Sequence, residues 1–243
     1  MASPTRGEPR VLGVIPARGG SKRLPRKNVL PIAGLPLIAH TIRAAQGASR
    51  LTDYLVSSDD PEIIDVAKKF GAPVPFVRPP ELATDNVRNA ETVRHALDFM
   101  ESASGSPYDV IVLLQPTSPI RTAAHIDQAV DRLWESPLDT LASVKGPFKK
   151  PHPMLKGIRN GVLEPFCPGD VDPSAGEPFF LYNASIYAAK RAYFVRERKM
   201  TSRREVPLLM DAAHSCDVDI DSDIPVAEAY FAYIASHATE GGR

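Results

Sequence analysis

Cysteine is scarce in this chain. Its two residues, Cys167 and Cys216, stand far apart without a CxxC pair, which excludes a disulfide framework and a cysteine-built zinc site. Both are expected as free thiols, buried or half-exposed. No apolar run approaches the roughly 18 residues that a membrane-spanning helix needs. The first ten residues are polar and hold no apolar core of a secretory signal. A soluble, cytoplasmic protein without a membrane partner is the expectation. Neither sign of charge is in excess, with Lys+Arg and Asp+Glu both at 29. That argues against nonspecific nucleic-acid binding and makes any anion specificity local. The six histidines show no ligand spacing. No Ser/His/Asp or Cys/His arrangement is readable, and there is no internal repeat or low-complexity tract.

Apolar residues and proline are present in quantity. Hydrophobic residues are 43% of the 243, enough for one large domain. The 24 prolines, about twice the ordinary share, predict many rigid turns and few long helices. Residues 1–10 read as a disordered lead-in and 11–243 as a single domain. Strands are expected at Val11–Pro16, Asp53–Ser58, Val74–Val77, Val110–Leu114, Thr140–Val144 and Ala184–Ala188, with a closing segment at Cys216–Asp221. Helices are expected at Pro36–Ala48, Pro61–Phe70 with Asp59 or Asp60 as cap, Asn89–Met100, Thr122–Trp134 and about Pro225–His237. This alternation predicts an α/β fold: a mostly parallel, mixed sheet with helices on both faces. It breaks over 145–182, a proline-rich stretch that holds His152 and reads as a lid or as an arm packing on another subunit.

In such sheets ligands bind beyond the carboxyl ends of the strands. Three loops fall there: 17–28, the turn after Ser58, and Gln115–Pro119. The first is Ala17-Arg18-Gly19-Gly20-Ser21-Lys22-Arg23-Leu24-Pro25-Arg26-Lys27. Its glycines permit close approach of backbone N–H groups to an anion, and its five basic residues offset phosphate charge. It matches neither the P-loop nor the GxGxxG spacing, and a basic surface turn is the alternative. Asp217, Asp219 and Asp221 alternate, so an extended strand would put all three carboxylates on one side. Such an oxygen cluster suits Mg²⁺. Equally, Asp221 and Asp223 fit a helix cap. Gln115 either contacts a substrate or satisfies backbone groups in its turn.

Taken together, these residues resemble the acylneuraminate cytidylyltransferases, the CMP-sialic acid synthetase family, from Val11 to about Ile234. The motifs are Ile15–Lys22 with Leu24-Pro25 and Lys27-Asn28; Val56–Asp60; Arg78-Pro79 with Glu81–Asp85; and Leu113–Arg121. The resemblance implies a Rossmann-like nucleotidyltransferase fold. It also implies Mg²⁺-dependent transfer of CMP from CTP to the anomeric hydroxyl of a nonulosonic, sialic-acid-like 2-keto-3-deoxy sugar acid, with release of pyrophosphate. By matching position, Arg18, Lys22, Lys27, Asp219 and Asp221 would be catalytic. Arg18, Gly19, Gly20, Ser21, Lys22, Lys27, Asn28, Arg78, Val87 and Asn89 would bind nucleotide. Gln115, Asn183 and Tyr187 would face the sugar acid, and Asp219 and Asp221 would bind the metal. Segment 145–182 would be the dimerisation arm of a homodimer.

The chain departs from that pattern in places. Asn86-Val87-Arg88-Asn89 replaces small residues, and Arg23 replaces a glycine, as in the related Kdo cytidylyltransferases. The paired aromatics that contact the sugar's acyl group are missing around Lys199–Arg203. Two alternatives therefore stand beside the main reading: a cytidylyltransferase for Kdo or another small acid, and a nucleotide-binding regulatory protein without catalysis.

Overall fold

A computed structural model describes residues 7–148, 156–159, 162–165 and 179–238. His152 and Cys167 lie outside the described residues, as do residues 1–6 and much of the arm. Strand β1 (Val11–Pro16) is second from one edge of a six-stranded sheet. It is followed by a short hairpin, β2 (Pro31–Ile32) and β3 (Leu35–Pro36), helix α1 (Leu37–Gly47), β4 (Asp53–Ser57) and α2 (Pro61–Lys69). Next come α3 (Asn89–Ser104), β5 (Val110–Leu114), α4 (Ala123–Glu135) and β6 (Thr140–Phe148). A small hairpin, β7 (Lys156–Arg159) with β8 (Val162–Pro165), precedes β9 (Phe179–Lys190). The chain then forms α5 (Arg191–Glu197), β10 (Val206–Leu209) and α6 (Asp223–Ala238).

The strand order is β10-β6-β9-β5-β1-β4. β1 pairs in parallel with β4 and β5, and β6 with β10, while β9 runs antiparallel between β5 and β6. This is the mixed, mostly parallel sheet expected. The order reverses at β1, so its C-terminal end beside that of β5 is the crevice where such sheets bind ligands.

Side-chain alternation divides the core. Val11 and Ile15 of β1, with Val110, Val112 and Leu114 of β5, pack with Ile38 and Ile42 of α1 and Ile126 and Val130 of α4. Leu12, Val14, Ile111 and Leu113 point the other way, onto Val93 and Leu97 of α3 and Phe194 of α5. A third cluster lies under the site: Leu24, Ile32, Leu37, Ile120 and Val218 with Ala227 of α6. Each such aliphatic, once fully buried, contributes roughly 1.5–3 kcal/mol.

Helix starts follow the sequence signals. Asp60 Oδ1 accepts from Glu62 N at 2.9 Å and Ile63 N at 3.1 Å with Pro61 at the first position. Thr122 and His125 form a capping box at α4.

Four expectations are corrected. Val74–Val77 is not a strand: Pro73 and Pro75 supply no N–H, and the stretch is tied to the sheet by Val56 N donating to Pro73 O at 2.9 Å. Cys216–Asp221 is irregular, and the sheet edge beside β6 is β10. Long helices do occur, with α3 and α6 at 16 residues each. Residues 7–10, read as part of a disordered lead-in, are held against the sheet. Arg10 N donates to Asp109 Oδ2 at 2.8 Å, and Trp134 Nε1 donates to Gly7 O at 3.2 Å.

Candidate active site

The loop at 17–28 leaves β1 at the sheet crevice, where Ala17 N donates to Ser57 O at 2.9 Å. Its two glycines differ in kind. Gly19 N donates to Asp59 Oδ1 at 3.3 Å, and a Cβ there would collide with the Asp60 side chain. A Cβ on Gly20 would meet nothing within 4 Å. Asn28 is buried and donates Nδ2 to Arg18 O at 3.0 Å, so it braces the loop across its mouth. Leu24 anchors the loop in the third cluster.

The loop's cations face two carboxylates. Arg18 Nη1 lies 2.7 Å and Lys22 Nζ 2.5 Å from the oxygens of Asp85. The hydrogen bond from Lys22 leads in holding the Asp85 carboxyl below its usual range, with the charges of Lys22 and Arg18 adding to it. Lys27 Nζ and Arg23 Nη2 each stand 2.8 Å from Asp219. Burial pushes the Asp219 carboxyl up, but the two cations outweigh it and hold it low. Arg78 is buried, donates Nη2 to Ser57 O at 2.7 Å and lies 3.9 Å from Asp59. Its Nε has no hydrogen-bond partner among the described residues. Burial lowers its pKa against the favourable charge of Asp59.

These groups line a cleft of about 360 Å³ whose walls include Arg18, Ser21, Lys22, Lys27, Asn28, Arg78, Asn89 and Gln115. A second cleft of about 410 Å³ adjoins it, sharing Asn89 and Gln115, and is walled by Tyr187, Tyr182, Arg198, Lys199 and Met200. Asn89 Nδ2 reaches Gln115 Oε1 at 3.4 Å across the boundary. The Gln115 carbonyl accepts from Ser118 N and from the buried Arg121 guanidinium. Arg121 also donates to Thr41 of α1 and Ser185 of β9. Burial takes its pKa down to about 9. Tyr187 is pushed up by burial.

Several expected residues fall elsewhere. Asn183 is not in either cleft. Its Oδ1 accepts from Ser143 Oγ at 2.5 Å and from Ser185 N at 3.2 Å, and its Nδ2 donates to Ser215 Oγ at 2.9 Å, so its amide is spent inside the fold. Val87 sits half-buried in a turn, with its N–H given to Thr84 O at 3.3 Å, and lines neither cleft. The three alternating aspartates do not act as one set. Among the described residues no group of three His, Cys, Asp or Glu side chains is placed to hold a metal ion. Asp217 turns to Ser118, and burial raises its carboxyl, with Asp219 adding to the rise. Asp221 is exposed where residues 220–222 turn into α6. Val218 N donates to Thr117 O at 2.7 Å and so ties this segment to the Gln115 turn. Cys216 is a buried free thiol whose pKa burial raises to about 11.

Sequence reasoning assigned no role to Asp85, Arg121 or Tyr182. Asp85 and Arg121 end two of the quoted motifs, which was the available signal. Arg23, the residue that left the acceptor open, lines the first cleft and pairs with Asp219.

A mixed sheet with a basic, glycine-containing loop at its reversal point and two joined clefts is an arrangement suited to a phosphate-bearing ligand. The family model described as cytidylyltransferase matches residues 12–162, and the chain belongs to that family. A CMP-N,N'-diacetyllegionaminic acid synthase from Legionella pneumophila is 37% identical over 90% of this chain and 95% of its own. The N-acylneuraminate cytidylyltransferase of Escherichia coli O18:K1:H7 is 30% identical over 90% of this chain, which spans 51% of that protein. These relatives agree with the branch that the motifs resemble. In fold, the chain is similar to a CMP:2-keto-3-deoxy-manno-octonic acid synthetase complexed with CTP. The TM-score is 0.67 at 18% identity, over 92% of this chain and 99% of that one. A 4-diphosphocytidyl-2C-methyl-D-erythritol synthase gives 0.65 at 13%, over 92% and 99%.

Proposed function

We infer that the protein transfers CMP from CTP to the anomeric hydroxyl of a nine-carbon 2-keto-3-deoxy sugar acid and releases pyrophosphate. The observation that carries this reading is the junction at Asn89 and Gln115, where a cation-walled cleft meets a polar and aromatic one. Family membership and the acids named for the relatives support the choice of substrates.

In this reading Arg18, Lys22 and Lys27 hold the triphosphate, with Asp85 giving up the first two. The loop N–H groups add donors, and Arg78 and Asn28 shape the nucleotide end. Gln115 and Asn89 orient the acceptor hydroxyl, and Tyr187 walls the sugar. Reaction at phosphorus rewards such positioning and charge neutralisation more than covalent help. Asp219, once Lys27 and Arg23 turn from it to the triphosphate, and Asp221 would offer Mg²⁺ carboxylate oxygens, since this ion takes one or two carboxylates and keeps waters and substrate phosphates as its other ligands. When bound, it would neutralise triphosphate charge.

We also propose that 145–182 is a dimerisation arm. β6 and β9 run as a ladder out to Phe148 and Phe179, and Phe180, Leu181 and Tyr182 expose large apolar surface there. No described helix is long and apolar enough to cross a membrane, which is compatible with a cytoplasmic place for the enzyme.

The test is pyrophosphate release from CTP and Mg²⁺ with a panel of eight- and nine-carbon sugar acids. Turnover with nine-carbon acids is expected. Preference for an eight-carbon acid would move the acceptor to the Kdo type. CTP binding without turnover of any acid would leave a regulatory nucleotide binder.

A further inference from the structure

We propose that Arg121 is a positioning residue for the transfer: from inside the fold it holds together the Gln115 turn and a bulge of β9 that places Tyr182 and Tyr187. Both are walls of the second cleft, and the proposal rests on the reading of that cleft as the acceptor site.

β9 does not run as a regular strand beside β6. Ala142 pairs with Tyr187 and Val144 with Tyr182, so one residue of β6, Ser143, faces four of β9, 183–186. Within this bulge Ala184 takes the left-handed conformation, φ 59°. Such a conformation is costly for an alanine and persists where surrounding contacts impose it. The bulge has a consequence at the surface. Residues five apart on a regular strand point to opposite faces. Tyr182 and Tyr187 instead wall the same cleft, with ring centroids 5.9 Å apart.

Arg121 ties this bulge to the other wall. Its Nε donates to Ser185 Oγ in the bulge at 3.2 Å, and its Nη2 donates to the carbonyl of Gln115, which lines both clefts. Nη1 donates to Thr41 Oγ1 at 3.1 Å and so fixes the guanidinium to α1. Arg121, Ser185 and Thr41 are all buried, and Arg121 itself lines neither cleft. Its acceptors are two hydroxyls and a carbonyl, none of them a carboxylate. A buried cation so placed is costly, and an apolar side chain of that volume would serve stability better. What the guanidinium alone supplies is a rigid fork with donors in three directions, one for each element that must keep its place.

The experiment uses the full chain with Arg121→Lys, which keeps the charge and loses the fork. Pyrophosphate release with CTP, Mg²⁺ and a nine-carbon acid gives kcat/KM for the acid, and calorimetry gives CTP affinity. The variant is expected to lose about a hundredfold in kcat/KM for the acid, as a misplaced wall would cause, while CTP binds as in wild type. Added to Gln115→Ala, it should cost clearly less than it does alone, because the two act through one wall. An unchanged kcat/KM for the acid would overturn the proposal. So would a parallel loss of CTP affinity, or single effects that simply multiply. If Arg121→Lys does not fold, Ser185→Ala removes one of the three acceptors and takes its place. It is expected to show the same split at about tenfold, and unchanged acid kinetics there would equally overturn the proposal. A wild type that releases no pyrophosphate with any acid would overturn the transfer reading and this proposal with it.

Discussion

Asp85 Oδ1 lies 2.7 Å from Arg18 Nη1, and the same carboxylate reaches Lys22. A protein anion thus holds two of the cations assigned to the triphosphate. Substrate must displace it, so Asp85→Asn should lower the KM for CTP. The pairs are open to solvent and their worth is small, so the expected gain is about threefold. Steady-state titration of CTP checks it. A raised KM would mean that Asp85 instead helps to bind the nucleotide.

The two loop glycines should behave differently. Gly19→Ala drives a methyl into the Asp60 side chain, which caps α2, whereas Gly20→Ala points into open space. The first variant is expected to lose about 1 kcal/mol of stability through the disturbed cap and to weaken CTP about tenfold or more as the loop shifts. The second should match wild type in both. Urea titration and calorimetry of CTP measure these quantities, and equal behaviour of the two variants would refute the steric distinction.

Asp221 is exposed in the turn before α6. Asp221→Ala should therefore leave the thermal midpoint unchanged while lowering kcat by about a hundredfold. The smaller effect is expected on CTP binding. Normal turnover would reduce Asp221 to a turn residue and remove it from the proposed metal site.

Away from the site, Arg191 donates Nε and Nη2 to Glu101 Oε1 and Oε2 at 2.6 and 2.8 Å, joining α5 to α3. That bond holds the Glu101 carboxyl below its ordinary 4.5. Because the folded value is the lower one, the contribution is complete above 4.5 and is lost as pH falls through the folded value. Glu101→Gln should cost about 1.5 kcal/mol at neutral pH, and the gap to wild type should close on acidification. Urea unfolding across the acid range reads it, and a gap that does not change with pH would contradict the pair's role.

Much of the fold was legible because buried strands advertise themselves. Val11–Pro16 and Val110–Leu114 are apolar on both faces, and Asp60-Pro61 and Thr122 mark helix starts directly. β10 went unread because Pro207 sits inside it. The strand tolerates that proline at the sheet edge, where it pairs with β6 alone. Val74–Val77 misled for the converse reason, since its apolar content is not matched by available N–H groups. At the site, the motif residues Arg18, Lys22, Lys27 and Gln115 come together in one cleft. Asn183 stays out of it, because its hydrogen bonds to Ser143 and Ser215 depend on contacts that no local pattern encodes. The Asp85 pairing spans more than sixty residues of chain and is invisible for the same reason.

The cation-walled cleft joins distant parts of the chain: Lys27 pairs with Asp219, and Leu24 and Ile32 share their cluster with Val218 and Ala227. Such contacts form late, because a long loop must close before they reward it. During synthesis, β1, β4 and β5 have all left the ribosome long before Asp219 exists. A nascent chain that has not yet reached Asp219 has most of its sheet but an unsupported 17–28 loop. On the proposed function, nucleotide binding would thus report that the segment around Asp219 has docked on the loop.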